Sequence, residues 1–203
     1  MPLATGGAER IELSFDRPLL YAAIALACGR LLHLITVHLR APLAAAFPGG
    51  KQGRAWRSTA AWAEGLHHAN LLRSAQALDA RLLVEQIFER TPDALIAVCG
   101  DFNAESGTPI LDILTAPPAR TGVRAQAGRA LVALDLGLAS HRRYSLRHGG
   151  RRLMPDHILV SPALFAGYRR IDSLNTRLID DRARQAGDEP GSFHAPLVAE
   201  FDL

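Results

Sequence analysis

The chain has 203 residues, of which 48% are hydrophobic and 21% are charged. This length suffices for one domain with a sizeable core, and the composition excludes a disordered or fibrous protein. The formal net charge is +3, and Lys51 is the only lysine among 23 basic residues. Arginine suits bidentate phosphate contacts, although a bias in genome composition explains the same excess equally well.

Two cysteines, Cys28 and Cys99, lie in apolar stretches of the sequence. Buried structural thiols explain them better than a disulfide or a metal-binding pair, so we expect a cytoplasmic protein. The apolar stretch 19–39 is interrupted by Gly29 and Arg30, which indicates two strands joined by a turn and no membrane span. The first residues lack the basic start and long apolar run of a signal peptide.

The first half of the chain predicts a strand hairpin followed by a long helix. A loose tail is expected at 1–10, and buried strands are expected at 18–27 and 31–39. Residues 42–57 carry Pro, Gly and basic side chains and predict a loop. A helix is predicted at 59–90, before the Thr-Pro pair at 91–92. The apolar residues that recur there at helical spacing are Leu71, Ala75, Leu78 and Leu82.

The second half predicts more strands than helices. The uncharged run 94–99 indicates a buried strand. Further elements are expected in this order: a helix at 108–114, a polar connector at 119–130, a helix at 130–138, strands at 144–147, 153–161 and 168–176, a charged loop at 180–191 and a strand at 197–203. His148-Gly149-Gly150 is a hairpin signal. Because strands and helices alternate without a regular βαβ rhythm, we predict an α+β domain with packed mixed sheets covered by helices.

The tetrapeptide Gly100-Asp101-Phe102-Asn103 directly follows the uncharged strand. Glycine allows a sharp turn there, and alternation puts Asp101 and Asn103 on one side of an extended segment. A carboxylate and a carboxamide that emerge together from a strand end can hold a hard cation or a water. An ordinary turn, in which both side chains bond nearby backbone, explains the motif equally well.

Histidine or aspartate also lies at the margin of three other apolar runs. His38 ends an early strand, Asp156 begins a later one, and His194 precedes the last strand. A sheet scaffold holds such groups in register, as catalytic sites require. Each also has a structural explanation, His38 as a satisfied strand-end histidine and Asp156 as a turn residue. His157 alternates away from Asp156 and is expected to be structural.

Four motifs in this order resemble the endonuclease/exonuclease/phosphatase superfamily. It includes pancreatic-type deoxyribonucleases, apurinic endonucleases of the exonuclease III type, inositol polyphosphate 5-phosphatases and bacterial sphingomyelinases. The motifs are His-Leu at 38–39, Gly-Asp-Phe-Asn at 100–103, Asp-His-Ile-Leu-Val-Ser at 156–161 and Ser-Phe-His-Ala-Pro at 192–196. The helical segment 73–77 also fits. The match covers about residues 15–203 and implies one domain, 1–203, with a deoxyribonuclease I-like α/β/β/α sandwich of four layers.

The resemblance also implies roles for five residues. Asp101 would orient the attacking water or assist the leaving group, and Asn103 would hold a phosphate oxygen. His194 would pair with Asp156, whose carboxylate fixes the imidazole tautomer and stabilises its cation. His38 would contact the scissile phosphate. Asp101 and Asn103 would also be ligands of a weakly bound Mg²⁺ or Mn²⁺.

Two departures from the family pattern predict a depleted metal site. The family begins with strands that bear a metal-site Asn and a Gln-Glu pair, and nothing before residue 15 supplies them, although Glu9 and Glu12 are present. The domain is therefore expected to lack that N-terminal unit. The family's Ser-Asp-His is Ser-Phe-His at 192–194, so Phe193 replaces an acid. A hard cation prefers several oxygen ligands, which explains the expectation of weak binding.

A basic stretch before Asp156 could steer an anionic substrate, although a solvated basic face explains it equally well. Its substrate candidates are Arg142, Arg143, Tyr144 and Arg147. The whole pattern predicts a metal-dependent phosphoesterase that cleaves a phosphodiester or phosphomonoester, with nucleic acid among the candidate substrates. Two alternatives stay open: an impaired pseudoenzyme that binds a phosphate-bearing ligand, and a non-catalytic interaction domain whose motif residues do not meet in space.

Overall fold

The structure is a computed structural model that describes residues 2–4, 10–12, 14–15, 17–183 and 191–203. Within this part of the chain, no helix is long and apolar enough to cross a membrane. The predicted loose tail at 1–10 is wrong in part, because β1 (Pro2–Ala4) and β2 (Arg10–Glu12) pair as antiparallel strands. The charged loop predicted at 180–191 lies partly outside the described residues.

A five-stranded sheet carries the candidate site. In chain order the elements from residue 20 to 101 are β3 (Leu20–Ala25), β4 (Leu31–His38), β5 (Lys51–Gln52), β6 (Ala55–Trp56), α1 (Thr59–Arg90) and β7 (Leu95–Asp101). The later ones are α2 (Pro109–Thr115), α3 (Pro118–Thr121), β8 (Val132–Ala133), β9 (Leu146–His148), β10 (Arg151–Leu153), β11 (Asp156–Val160), α4 (Pro162–Phe165), β12 (Tyr168–Ser173) and β13 (Leu197–Phe201). The sheet order is β3-β4-β7-β11-β8, with β4 and β7 parallel and all other neighbours antiparallel.

Helix α1 covers one face of this sheet and matches the predicted bounds. The Ser58 side chain caps its first turn by accepting a 3.0 Å hydrogen bond from the amide of Ala61. The predicted leucines Leu71 and Leu82 are 51% and 42% exposed, so they do not form the packing face. Other residues of the helix form a core with this face of the sheet. The helix residues in this core are Ala77, Ala80, Val84, Ile87 and Phe88.

The opposite face of the sheet is only partly covered. β12 and β13 form a two-stranded antiparallel sheet that packs beside β11 and over the side of the sheet near β8. β3 lies at the far edge, and all six of its residues are exposed. The prediction of buried strands therefore holds only in part for β4, in which Ile35 and Val37 are buried and both ends are exposed, and it is wrong for β3. Cys28, in the turn after β3, is exposed and not buried, while Cys99 is half-buried.

Two local predictions of the second half have different outcomes. The helix predicted at 130–138 is wrong, because β8 pairs with β11 there and a short 3-10 helix, Leu134–Gly137, follows. The hairpin signal is confirmed by the antiparallel pairing of β9 with β10. Gly149 and Gly150 form its turn with φ of 55° and 81°, which favours glycine. In the predicted loop 42–57, β5 and β6 add a small hairpin.

Candidate active site

Three of the predicted site residues occupy one row across three adjacent strands. His38 at the end of β4 is the register partner of Asp101 at the end of β7. Asp101 is in turn the partner of Asp156 at the start of β11. Register partners project from the same face of a sheet, so the three side chains share the face that is opposite α1. The fold thus brings together residues that are 63 and 55 positions apart in sequence.

Gly100 permits this arrangement because β4 and β7 approach closely beside it. Its φ is 134°, and a Cβ there would lie 2.0 Å from the carbonyl oxygen of Val37. Any side chain at this position would collide with the β4 backbone and would also strain the turn. The glycine of the motif is therefore a packing requirement, in addition to its part in the turn.

Asn103 holds the turn and orients Asp101. Its backbone N–H donates a 2.8 Å hydrogen bond to Asp101 Oδ1, and its side-chain Nδ2 donates a 2.9 Å bond to the Leu39 carbonyl. Its φ of 48° is left-handed, a conformation that asparagine tolerates better than most residues. Arg73 donates to the Asn103 carbonyl at 3.1 Å and ties the turn to α1. The ordinary turn explanation of this motif is thus correct for the backbone contacts.

The expected contact between His194 and Asp156 is present. His194 Nδ1 lies 2.7 Å from Asp156 Oδ2, and the same oxygen accepts a 2.5 Å hydrogen bond from the Ser145 hydroxyl. The Ser145 carbonyl also accepts from the Ala195 amide at 2.7 Å, beside a bridge between Leu146 and His194. Ser145 is fully buried and therefore locks both members of the pair. The role of Ser145 was not predicted from the sequence. The residue lies within the predicted strand 144–147, and nothing in that segment indicates a contact with Asp156.

His38 lies more loosely in the site than the other histidine. Its Nε2 is 3.5 Å from Asp101 Oδ2, and half of its side chain is exposed. The Arg17 guanidinium contacts the same nitrogen and adds a positive charge at this edge of the site. Arg17 was not predicted as a site residue, because it lies before β3, outside the five-stranded sheet, and belongs to no recognised motif.

The electrostatics of the site follow from the proximity of two carboxylates. Burial raises the pKa of Asp101, and the nearby Asp156 charge raises it further, against the opposing effects of the Asn103 amide and the two histidines. The Asp156 hydrogen bond raises the pKa of His194, and the charges of Asp156 and Asp101 act in the same direction. The site therefore favours a positive charge between these groups.

His157 is structural, as predicted, and is fully buried. Its Nδ1 is 2.9 Å from Asp135 Oδ1 and its Nε2 is 2.8 Å from the Ala104 carbonyl oxygen. Both partners are acceptors, so both ring nitrogens have an acceptor for their hydrogens when the imidazole is protonated. Burial itself lowers the pKa of His157, but the hydrogen bond and charge of Asp135 outweigh it and raise the pKa overall. This pair fixes the segment after Asn103 against β11.

The predicted basic substrate residues are engaged within the fold. Arg142 binds the Asp172 carboxylate at 2.8 Å and the Ser173 carbonyl at 2.7 Å. The other three candidates also donate hydrogen bonds to backbone carbonyls: Arg143 to those of Asp135, Leu136 and Leu138, Tyr144 to that of Asn175, and Arg147 to that of Leu178. These contacts favour a structural role over contact with substrate.

Asp101, Asp156 and His194 form a group that could hold a metal ion. One ligand atom each from Asp101, Asp156 and His194 lies within 4.8 Å of the other two. Because Nδ1 of His194 faces Asp156, its Nε2 is the nitrogen that is directed elsewhere. Glu105, which follows the Asp101 turn, accepts from the Met154 amide at 3.3 Å. Glu9, Asp16 and the side chain of Glu12 lie outside the described residues.

Comparisons with models of known families and with curated proteins find no match. Solved structures do match. D. rerio TDP2 in complex with a single-strand DNA product is 20% identical, with a TM-score of 0.50 over 92% of this chain and 62% of that chain. An AP endonuclease from Archaeoglobus fulgidus is 16% identical, with a TM-score of 0.48 over 90% of this chain and 65% of that chain.

Beta toxin from Staphylococcus aureus gives 12% identity and a TM-score of 0.47, over 92% of this chain and 58% of that chain. The chain thus spans less than two thirds of the length of each of these three structures. At such identities the likeness concerns the fold and not the activity. The motif order, the sheet register and the match to TDP2 agree, and the chain has the deoxyribonuclease I-like fold of the endonuclease/exonuclease/phosphatase superfamily.

Proposed function

We propose that this chain is a phosphoesterase-type hydrolase domain, residues 1–203, which cleaves a phosphodiester or phosphomonoester with the help of Mg²⁺ or Mn²⁺. The observation that carries the proposal is the row of His38, Asp101 and Asp156, beside which His194 bonds to Asp156. Hydrolysis of a phosphate ester needs a base for water, positive charge near the phosphoryl oxygens and assistance to the leaving oxygen.

His194 is the base in this proposal. Its Nδ1–H donates to Asp156, so the Nε2 lone pair is available to accept a proton from the attacking water. The water oxygen forms a bond to phosphorus while the bond to the leaving oxygen breaks. Ser145 keeps Asp156 in place, which preserves the tautomer of His194.

Asp101 and Asn103 are the proposed ligands of the cation, and Asp156 adds a second carboxylate. A bound divalent cation would neutralise charge on the phosphoryl oxygens. Asn103 uses one amide hydrogen on Leu39, so among the described residues its other hydrogen and its oxygen are available to a ligand. His38 and Arg17 lie at the opposite end of the row and would contact the scissile phosphate.

Nucleic acid is one candidate substrate. The D. rerio TDP2 structure holds a single-strand DNA product, and the Neisseria NExo structure, described as a 3′ phosphatase, holds a product DNA hairpin. This chain carries a net charge of +3, which is compatible with a polyanionic substrate. Arg17 is a basic residue that contacts the site directly, through His38.

One specific feature favours an impaired form of the same function. Phe193 replaces the acid that the family pattern would supply next to His194, so the cation would rely on Asp101, Asn103 and Asp156. The alternative is therefore a pseudoenzyme that retains phosphate binding without turnover.

An assay with chromogenic esters separates the two. Chelator-treated protein would be assayed with bis(4-nitrophenyl) phosphate and 4-nitrophenyl phosphate, before and after addition of Mg²⁺ or Mn²⁺. We expect slow, cation-dependent release of 4-nitrophenolate from at least one ester. No turnover with either cation, together with binding of inorganic phosphate measured by calorimetric titration, would favour the pseudoenzyme.

A further inference from the structure

An open cavity of about 390 Å³ begins at the candidate active site and runs between the two sheets. Asp156 and His194 of the candidate site line it, together with Cys99, Ile158, Pro196 and Leu197. Apart from Asp156 and the histidines, the described residues around it carry no charge. It is therefore an apolar cavity that opens directly beside a group of carboxylates.

The sheet register explains why an apolar surface adjoins the site. Two residues back from the row of His38, Asp101 and Asp156, a second row crosses four strands on the same face. Leu20 pairs with Thr36, Thr36 with Cys99, and Cys99 with Ile158. Because side chains alternate along a strand, this second row lies directly behind the first.

The narrow second sheet leaves the surface accessible. β12 and β13 pack on the side of the sheet near β8, and the Leu20 end of the second row is 67% exposed. On β13, Leu197 faces the cavity, whereas its neighbour Val198 is 44% exposed and lies on the outer face. Beyond the cavity, the second row continues through Thr36 on β4 to the exposed Leu20 on β3, on the face that bears the catalytic row.

We propose that this cavity binds an apolar group esterified to the substrate's phosphate, so that the site prefers phosphate esters with an alkyl or aryl substituent. The proposal rests on the proposed function and names its substrate class. A phosphate held at Asp101 and His194 would place one ester oxygen at the cavity, next to Cys99 and Ile158. A polar substituent, such as a polyhydroxy or multiply phosphorylated ring, would meet few hydrogen-bond partners there and would lose hydration.

Two diesters with one leaving group test this inference. Methyl 4-nitrophenyl phosphate and hexyl 4-nitrophenyl phosphate both release 4-nitrophenolate and differ by five methylene groups. Each buried methylene is worth roughly fourfold in affinity, and not all five will be buried. Below the aggregation concentration of the hexyl ester, we expect its kcat/KM to be about 10- to 100-fold higher, mainly through KM. Equal values within twofold would overturn the proposal.

Two neighbouring substitutions on β13 provide the matched control. Leu197→Lys puts a charge in the cavity, and Val198→Lys puts the same charge on the opposite face. We expect Leu197→Lys to remove the preference for the hexyl ester while retaining turnover of the methyl ester, and Val198→Lys to keep the preference. If both variants kept it, the cavity would not be the binding site. Should Leu197→Lys fail to fold, Cys99→Leu fills the same cavity with an apolar side chain and should also abolish the preference.

A binding measurement distinguishes failure of the inference from failure of the proposed function. Hexyl phosphate and methyl phosphate would be titrated calorimetrically into the wild-type protein in the presence of Mg²⁺. Tighter binding of hexyl phosphate, lost in Leu197→Lys, supports the cavity even if neither diester is hydrolysed. Equal binding of the two phosphates overturns the inference even if both diesters are hydrolysed.

To separate an alkyl from an aromatic preference, phenyl phosphate would be titrated in the same way. Either preference over methyl phosphate supports an apolar subsite, and the larger of the two identifies the better substituent.

Discussion

At the scale of single residues, Asp101 is the central residue of the proposed site. It lies half-buried between His38 and Asp156, and burial together with the Asp156 charge raises its pKa. Two carboxylates in such proximity repel each other, and a bound cation would remove that cost. A cation bound as we propose would therefore stabilise the site.

His194→Ala is expected to reduce hydrolysis by about 10²–10⁴-fold, the usual contribution of a general base. Asp101→Ala removes a proposed cation ligand and is also expected to reduce hydrolysis strongly. Both side chains reach a partly exposed site, so we expect losses of stability below about 1 kcal/mol. Turnover of bis(4-nitrophenyl) phosphate and urea denaturation measure the two effects. His67→Ala, on the exposed side of α1, is the control. Wild-type rates in both site variants would remove these residues from the mechanism.

The raised pKa of His194 predicts the pH dependence of the reaction. A base must be unprotonated, so a raised pKa shifts the acidic limb of kcat/KM toward higher pH. Asp156→Asn removes the largest cause of the shift, and the limb should move to lower pH although the rate falls. Asp181→Asn removes a weaker influence on the same histidine and should move the limb less. A limb at the wild-type position in Asp156→Asn would exclude His194 as the titrating base.

At the scale of elements, the buried pair of His157 and Asp135 joins β11 to the segment after β7. The pair is fully buried, and His157 also donates to the Ala104 carbonyl. Its loss would leave the buried Asp135 carboxylate without its charged partner, which typically costs about 3–5 kcal/mol. This contact therefore supports the Asp101 turn without taking part in the chemistry.

We expect the free energy of unfolding to depend on pH through His157. Its folded-state pKa is raised, so its contribution is fully present below about pH 6.5, the unfolded value, and is lost as pH rises through the folded value. His157→Leu should lower stability and flatten this decline, as urea unfolding at several pH values would measure. The exposed His141→Ala should keep the wild-type slope. An unchanged slope in His157→Leu would contradict the assignment.

Several elements were predictable because their signals are local. The long helix, the uncharged strand before Gly100 and the Gly-Gly hairpin depend on nearby residues, and the structure contains them. The burial of β3 was mispredicted, because its apolar sequence does not reveal that it is an edge strand. The helix expected at 130–138 was overridden by the pairing of β8 with β11.

For the site, the ordered motifs predicted the residues that come together, but not the residues whose hydrogen bonds hold them in place. Ser145 and Asp135 are single polar residues in ordinary surroundings, and their importance comes from contacts with residues 11 and 22 positions away. The arginines near Asp156 have the composition of a substrate surface, but their hydrogen bonds go to backbone carbonyls and to Asp172. Tertiary contacts of this kind leave no signature in spacing.

At the scale of the whole molecule, the number of available ligands would limit the proposed metal site. Asp101, Asn103 and Asp156 supply oxygen atoms, whereas Phe193 contributes an apolar ring next to His194. Magnesium keeps much of its water shell and depends on carboxylates to hold it near the substrate. We therefore expect weak binding by the wild-type chain.

Phe193→Asp is expected to strengthen magnesium binding in part, because it adds one charge next to the site. Calorimetric titration of Mg²⁺ into both forms measures the difference, and Phe193→Asn, which has a similar shape without the charge, is the control. Tight binding by the wild-type chain would indicate that another carboxylate contributes. Equal binding by all three forms would mean that position 193 does not face the cation.

The central claim is that Asp101 and Asp156 hold the cation that the hydrolysis uses. Anomalous diffraction from crystals of this protein soaked in Mn²⁺ tests it most directly, because it locates the ion independently of any assay. We predict a peak in contact with both carboxylates, which is absent from crystals of Asp101→Asn. A strong peak elsewhere, or no peak under conditions in which the same protein hydrolyses the ester, would contradict the account.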